Sequence, residues 1–230
     1  MDFLNDRLRR HMPSQHRVAV DSEPRISGIY DASNSTLGAN DSNIRLPAEF
    51  YDPTVRSVLD KIAFEEEFVP FQENKEYRTL GIGALLGDIV ERMTQCIDPP
   101  QSKQRIRMAF SGGHDSTIMG ILGSYGALEG EQRVWPPYSS SVAVELFRDK
   151  RDTSEKGPPT SIGRISTTEL SSAQRQSMEG YYVRMRYNDR PLTLPGCRAV
   201  RKHLEGDESF CTLVYTPRTC SDPVMANSLC

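Results

Sequence analysis

The chain has 230 residues, a mean hydropathy of -0.53 and a formal net charge of -3, with a pI near 5.9. That length admits one large domain with a sizeable buried core, while the polar average leaves part of the chain to loops. No basic stripe with interleaved aromatics marks a nucleic-acid surface, no apolar run approaches the roughly 18 residues of a membrane span, and the opening MDFLNDRLRRHMPSQ lacks the apolar core of a secretory leader.

Residues 2–12 are expected to be helical, with Phe3, Leu4, Leu8 and Met12 near one face. Residues 18–50 are rich in Pro, Gly, Ser and Asn and show little periodicity, so they read as a long irregular connection. A helix start follows: Asp52 can cap, Pro53 suits the first helical position, and Val55, Val58, Leu59 and Ile62 make an apolar stripe. From about Lys75 to Cys96, Ile82, Leu85, Leu86, Ile89, Val90 and Met93 predict one continuous helix. Gly81, Gly83 and Gly87 lie inside it, each costing up to about 1 kcal/mol relative to Ala, which close packing of another element would explain.

Pro99 and Pro100 end this region. Residues 105–110 alternate Ile106, Met108 and Phe110 with Arg107 and Ala109 and predict a strand. Ser111-Gly-Gly-His-Asp-Ser-Thr117 then turns into a helix carrying Ile118, Ile121, Leu122 and Tyr125 on one side. Val142–Phe147 predicts a second strand and Tyr181–Tyr187 a third, with Asn188-Asp189 turning the chain back through Pro191 to Leu194. Between those strands, residues 149–163 are charged and rich in Pro, Ser and Thr, and read as a flexible surface insertion. The stretch from Thr216 onward carries no periodicity.

The loop at 111–117 supports three readings. It is a strand-to-helix turn capped by Asp115 or Ser116. It fits the SGGxDS loop of ATP-pyrophosphatases, whose glycines and hydroxyls cradle pyrophosphate. Or it is the His114-Asp115 pair of a phosphomonoesterase, placed where a helix N-terminus favours an anion. An ATP-pyrophosphatase loop opens its domain and is followed by several strand-helix units, whereas this one lies mid-chain behind two helices.

Four segments in order, EYRTLGIGALLGDIVERM at 76–93, AFSGGHDSTIMGILGSYGAL at 109–128, WPPYSSSVAVELFRD at 135–149 and YYVRMRYNDRPLTLPGC at 181–197, resemble the carboxyl-terminal half of a histidine acid phosphatase, in branch 2 of the histidine phosphatase superfamily. The fungal members related to lysophosphatidic acid phosphatase are the most similar, and the resemblance runs from about residue 3 to 213. It implies a partial α/β sandwich of the phosphoglycerate mutase type with a helical cap, lacking its first strands. The expected partition is an irregular and helical segment at 1–51, cap helices at 52–100, the α/β half-domain at 101–213 with an insertion at 150–180, and an irregular tail at 214–230.

By the same resemblance, His114 contacts the transferred phosphoryl group and Asp115 donates the proton to the leaving alkoxide. The substrate is a small phosphomonoester, with no metal and no cofactor. The family's nucleophile is the His of an RHGxRxP motif, and this chain has no RHG. The nearest string, Arg9-Arg10-His11-Met12-Pro13, lacks the glycine and the following arginine, so His11 reads as a solvated helix-end residue, while His16 and His203, in polar settings, read as surface residues. Arg105 and Arg107, on the strand before the motif, are expected to point away from it. The chain is therefore expected to be a fragment of low activity, with a non-catalytic phosphate- or partner-binding remnant as the alternative. Cys197 and Cys211 are a candidate bridge among five cysteines (the others are Cys96, Cys220 and Cys230), none of them in a CxxC pair of the kind that binds zinc. Without a leader in this sequence, reduced thiols and a cytoplasmic location are the default expectation.

Overall fold

The computed structural model describes residues 1–39, 41–97, 106–130, 133–152, 165 and 169–216. They fall into two compact units, Met1–Pro70 with Arg133–Trp135, and Phe71–Gln132 with Pro136–Cys230.

The first unit is helical. α1 spans Asp2–Leu8 and runs into a 3-10 turn at Arg9–His11. Leu4, Leu8 and Met12 are buried, whereas Phe3, expected on the same face, is exposed and lies under the Arg7 guanidinium. α2, Ile26–Gly38, occupies the middle of the stretch expected to be irregular. Its buried positions, Ile26, Ile29, Tyr30 and Ser33, keep helical spacing, but a serine in the stripe and Gly28 beside it hide the pattern. Packing against the next helix makes up for that weak propensity. α3, Pro53–Glu67, begins as its sequence predicts: the Asp52 carboxylate accepts from the amides of Thr54 (2.9 Å) and Val55 (3.1 Å). Leu4, Leu8, Ile26, Ile29, Val55, Leu59 and Ala63 form one buried cluster, onto which Trp135 packs. Tyr30 sits 4.9 Å from the Trp135 ring, and its hydroxyl is pushed up to about 12 by burial and by its hydrogen bond with Asp60.

α4 is the short helix Val69–Glu73. In the second unit the helix predicted over 75–96 is two, α5 (Lys75–Gly81) and α6 (Gly83–Ile97), broken at Ile82 with φ -133°. Gly81, the last residue of α5, leaves room for Phe71, whose ring a Cβ at that position would approach to 3.1 Å. α7 is Asp115–Ser124 and α8 is Ser172–Met178. α8 replaces the carboxyl-terminal part of the expected insertion. Its start is a reciprocal cap, in which Ser171 Oγ accepts from the Gln174 amide and Gln174 Oε1 accepts from the Ser171 amide. Residues 153–164 and 166–168 of that insertion, like 217–230 of the tail, lie outside the described residues.

The sheet is antiparallel, in the order β1 (Val142–Arg148), β2 (Tyr181–Tyr187), β5 (Asp207–Thr212), β4 (His203–Leu204), with β3 (Arg190–Leu192) also on β2. The β2–β3 turn places Asn188 and Asp189 at φ 46° and 65°, the left-handed pair a two-residue hairpin requires. β5 was not predicted, because its leading Asp207-Glu208-Ser209 masks the alternation. In register, Val183 faces Cys211 and Arg184 faces Phe210. Val183 packs into one cluster with Val90, Met93, Leu170, Met178 and Leu213. On the opposite face the Arg184 guanidinium lies 5.0 Å from both the Phe147 and the Phe210 ring centroids, and its Nε donates to Glu145 at 2.8 Å. Cys197 and Cys211, both fully buried, form a disulfide, so the reduced state expected for the cysteines does not hold at this pair. His203, expected as a surface residue, is half-buried, with Nδ1 2.8 Å from the Cys197 carbonyl oxygen.

Residues 106–110, expected to be a strand, have no regular secondary structure. Ile106, Met108 and Phe110 are 57%, 73% and 89% exposed. Alternation buries one face only where a neighbouring strand satisfies the backbone and a layer covers the side chains, and no strand among the described residues pairs with this segment.

Candidate functional site

α7 sets the position of the candidate pair. Phe71 is the anchor. Its carbonyl, together with that of Gln72, accepts from Nη1 of the buried Arg78 at 3.2 and 2.6 Å. Its side chain lies against Gly120 and Gly123, where an added Cβ would meet Phe71 atoms at 3.2 and 3.0 Å. Two glycines three apart on one helical face thus let α7 approach closer than any side chain would permit. Met119, Ile121 and Leu122 bury the rest of the helix, so burial runs nearly all round it rather than along the single side expected.

The amino end of α7 is the open end. His114 is its N-cap residue, at φ -100° and ψ 172°, and is exposed; Asp115 is the first helical residue and is half-buried. The carbonyl of His114 accepts from the amides of Thr117 (3.0 Å) and Ile118 (3.1 Å), and its own amide donates to Thr117 Oγ1 at 3.3 Å. Asp115 Oδ1 accepts from the Ser116 amide at 2.7 Å. A histidine and a carboxylate therefore stand side by side at a solvent-open helix N-terminus, where the positive end of the helix dipole favours an anion. Gly112 has open space on the side a Cβ would occupy, whereas Gly113 lies against Thr117. The pair is thus open to solvent rather than enclosed in apolar packing.

The other residues of interest lie elsewhere. His11 belongs to the first unit, where its Nε2 accepts from Arg10 Nε at 3.0 Å and lies 3.5 Å from Glu49. A depression in that unit, lined by Arg7, Ala48, Glu49, Tyr51, Asp52 and Val55, contains neither His114 nor Asp115. Its Glu49 is paired with Arg10, and its Asp52 caps α3. Arg107 is exposed, and Arg105 lies outside the described residues. Among the described residues no group of three His, Cys, Asp or Glu side chains is placed to hold a metal ion, and no helix is long and apolar enough to cross a membrane. The residues that carry α7, Phe71 and Arg78, escaped the sequence reading; the signal that pointed toward them was the run of glycines on helices otherwise well formed.

A model of the histidine phosphatase superfamily (branch 2) matches residues 58–188, more than half of the chain and inclusive of His114 and Asp115. The chain is 28% identical over 246 residues to a probable acid phosphatase of Schizosaccharomyces pombe, covering 98% of this chain and 51% of that protein. It is also 26% identical over 121 residues to counting factor 60 of Dictyostelium discoideum, covering 53% of this chain and 21% of that protein. The chain thus spans about half the length, or less, of these curated relatives. No solved structure matches it.

Proposed function

Because the chain belongs to branch 2 of the histidine phosphatase superfamily, we propose that residues 111–124 form part of the phosphoryl site of an acid phosphatase acting on small phosphomonoesters. The observation that carries this reading is the pair of exposed His114 and half-buried Asp115 heading α7, within the segment matched by the family model. His114 contacts the phosphoryl group, while the positive end of the α7 dipole offsets its negative charge. Asp115 protonates the departing alkoxide, which is too basic to leave unaided near neutral pH. The family match favours this role over the adenylation reading of the same loop.

Phosphoryl transfer to a histidine needs an activated imidazole within reach of phosphorus. This chain has no RHG string, and His11 is already engaged by Arg10. On this proposal a histidine from another segment acts as the nucleophile, and the chain forms the carboxyl-terminal half of a phosphoglycerate mutase-like sandwich related to the fungal lysophosphatidic acid phosphatases. The buried Cys197–Cys211 bridge supports maturation in an oxidising compartment rather than the cytoplasm.

Hydrolysis of p-nitrophenyl phosphate from acidic to neutral pH tests the proposal. The 230-residue chain is expected to show no turnover above the blank. A polypeptide that joins it to an RHG-bearing segment is expected to turn over and to lose about 10²–10⁴-fold in Asp115→Asn. Robust turnover by residues 1–230 that survives Asp115→Asn would overturn the assignment. Phosphate binding that weakens in His114→Ala without any turnover in the joined polypeptide would favour the non-catalytic remnant instead.

A further inference from the structure

We propose that Thr117 is a positioning residue for His114, an inference that rests on the phosphoryl-binding reading of that histidine. Two hydrogen bonds run in opposite directions between these residues. The Thr117 amide donates to the His114 carbonyl at 3.0 Å, and the His114 amide donates to Thr117 Oγ1 at 3.3 Å. The peptide groups on both sides of the His114 Cα are therefore tied to one residue, which holds His114 in its extended conformation at φ -100° and ψ 172°. The rotamers open to an imidazole at the mouth of a helix depend on its φ and ψ, so a clamp on the backbone narrows the directions in which the ring can point.

The second observation is steric and comes from the other side. Thr117 Cβ and Cγ2 would each lie 3.1 Å from a Cβ on Gly113, and Oγ1 would lie 3.3 Å from it. The Thr117 side chain thus fills the space over the residue before His114, and Gly113 is the residue type that leaves this space free. Its hydroxyl reaches the His114 amide only because its methyl can lie flat against Gly113. A β-branched hydroxyl residue meets both demands, since one branch accepts and the other packs. Valine keeps the shape and loses the acceptor; serine keeps the acceptor and loses the methyl.

That pair of substitutions separates positioning through the hydroxyl from support of the helix end. The 230-residue chain, labelled for NMR, is titrated with inorganic phosphate while the His114 resonances are followed. Hydrogen exchange of the His114 amide is recorded in phosphate-free buffer, and melting temperature is recorded for each variant. The wild type is expected to show a saturable shift at His114 and a protected amide. Thr117→Val is expected to lose the protection and bind phosphate about two- to tenfold more weakly, the span of one net hydrogen bond, with a melting temperature lowered by no more than the few degrees that one such bond contributes. Thr117→Ser is expected to retain both protection and affinity. An unprotected wild-type amide, or equal protection in the valine variant, overturns the positioning role whatever the phosphate titration shows. Equal losses in valine and serine, accompanied by a lower melting temperature, also overturn it, because the contribution is then general support of the helix end. A wild type with a protected amide but no saturable shift overturns the phosphoryl-site reading instead.

Discussion

Removal of the Cys197–Cys211 bridge should weaken the sheet by a predictable amount. The two residues are 14 apart, and both are fully buried where the 3-10 turn Pro195–Cys197 meets β5. Closing a loop of this length removes entropy from the unfolded chain worth about 3 kcal/mol at 25 °C. A unit the size of Phe71–Gln132 with Pro136–Cys230 shifts by roughly 2–4 °C for each kcal/mol, so the expected fall in melting temperature is about 6–12 °C. The double variant Cys197→Ser/Cys211→Ser is the suitable perturbation, because it leaves no buried thiol and does not touch Cys96. Calorimetry of wild type with and without reductant, and of the double variant, supplies the measurement; reductant should move the wild type to the variant's value and leave the variant where it is. A fall of less than about 2 °C in both comparisons would refute the entropic argument. Free thiols at both positions in protein purified under non-reducing conditions would refute the bridge itself and, with it, the case for an oxidising compartment.

Two further outcomes concern the sheet and the loop before α7. Glu145 is held below the ordinary glutamate range chiefly by its hydrogen bond from Arg184, with Arg186 adding to the effect. A depressed folded value means stabilisation present above the unfolded value of about 4.3 and lost as pH falls through the lower folded value. Wild-type stability should therefore drop over that acidic window, and Glu145→Gln, measured by urea unfolding at a series of pH values, should flatten this part of the profile; an unaltered profile would count against the ion pair. The two loop glycines should also differ. Gly113→Ala presses a methyl onto Thr117 and is expected to cost about 1 kcal/mol or more, whereas Gly112→Ala, facing open space, should be neutral or stabilising by about 0.4–1 kcal/mol, and equal costs would contradict the packing described.

Whatever a few neighbouring residues could settle was legible in the amino-acid order. Asp52 followed by Pro53 marks the start of α3, because capping acts across three residues. Tyr181–Tyr187 with Asn188-Asp189 marks β2 and its turn, because alternation and left-handed torsions are local properties. The candidate pair was likewise legible, since His114 and Asp115 stand at a helix start that the following apolar stripe announces. What depended on distant partners was not. α2 forms because α3 receives its face; Phe71 can lie against the end of α5 because residue 81 is glycine; β5 exists because β2 offers it an edge. The alternation of Ile106, Met108 and Phe110 misled for the same reason, since a strand is a relation between two segments and one of them cannot announce it alone. Tertiary packing also decided how closely α7 lies on Phe71, and hence where the His114-Asp115 pair meets solvent, because glycines at 120 and 123 set that distance only when an aromatic ring stands opposite them.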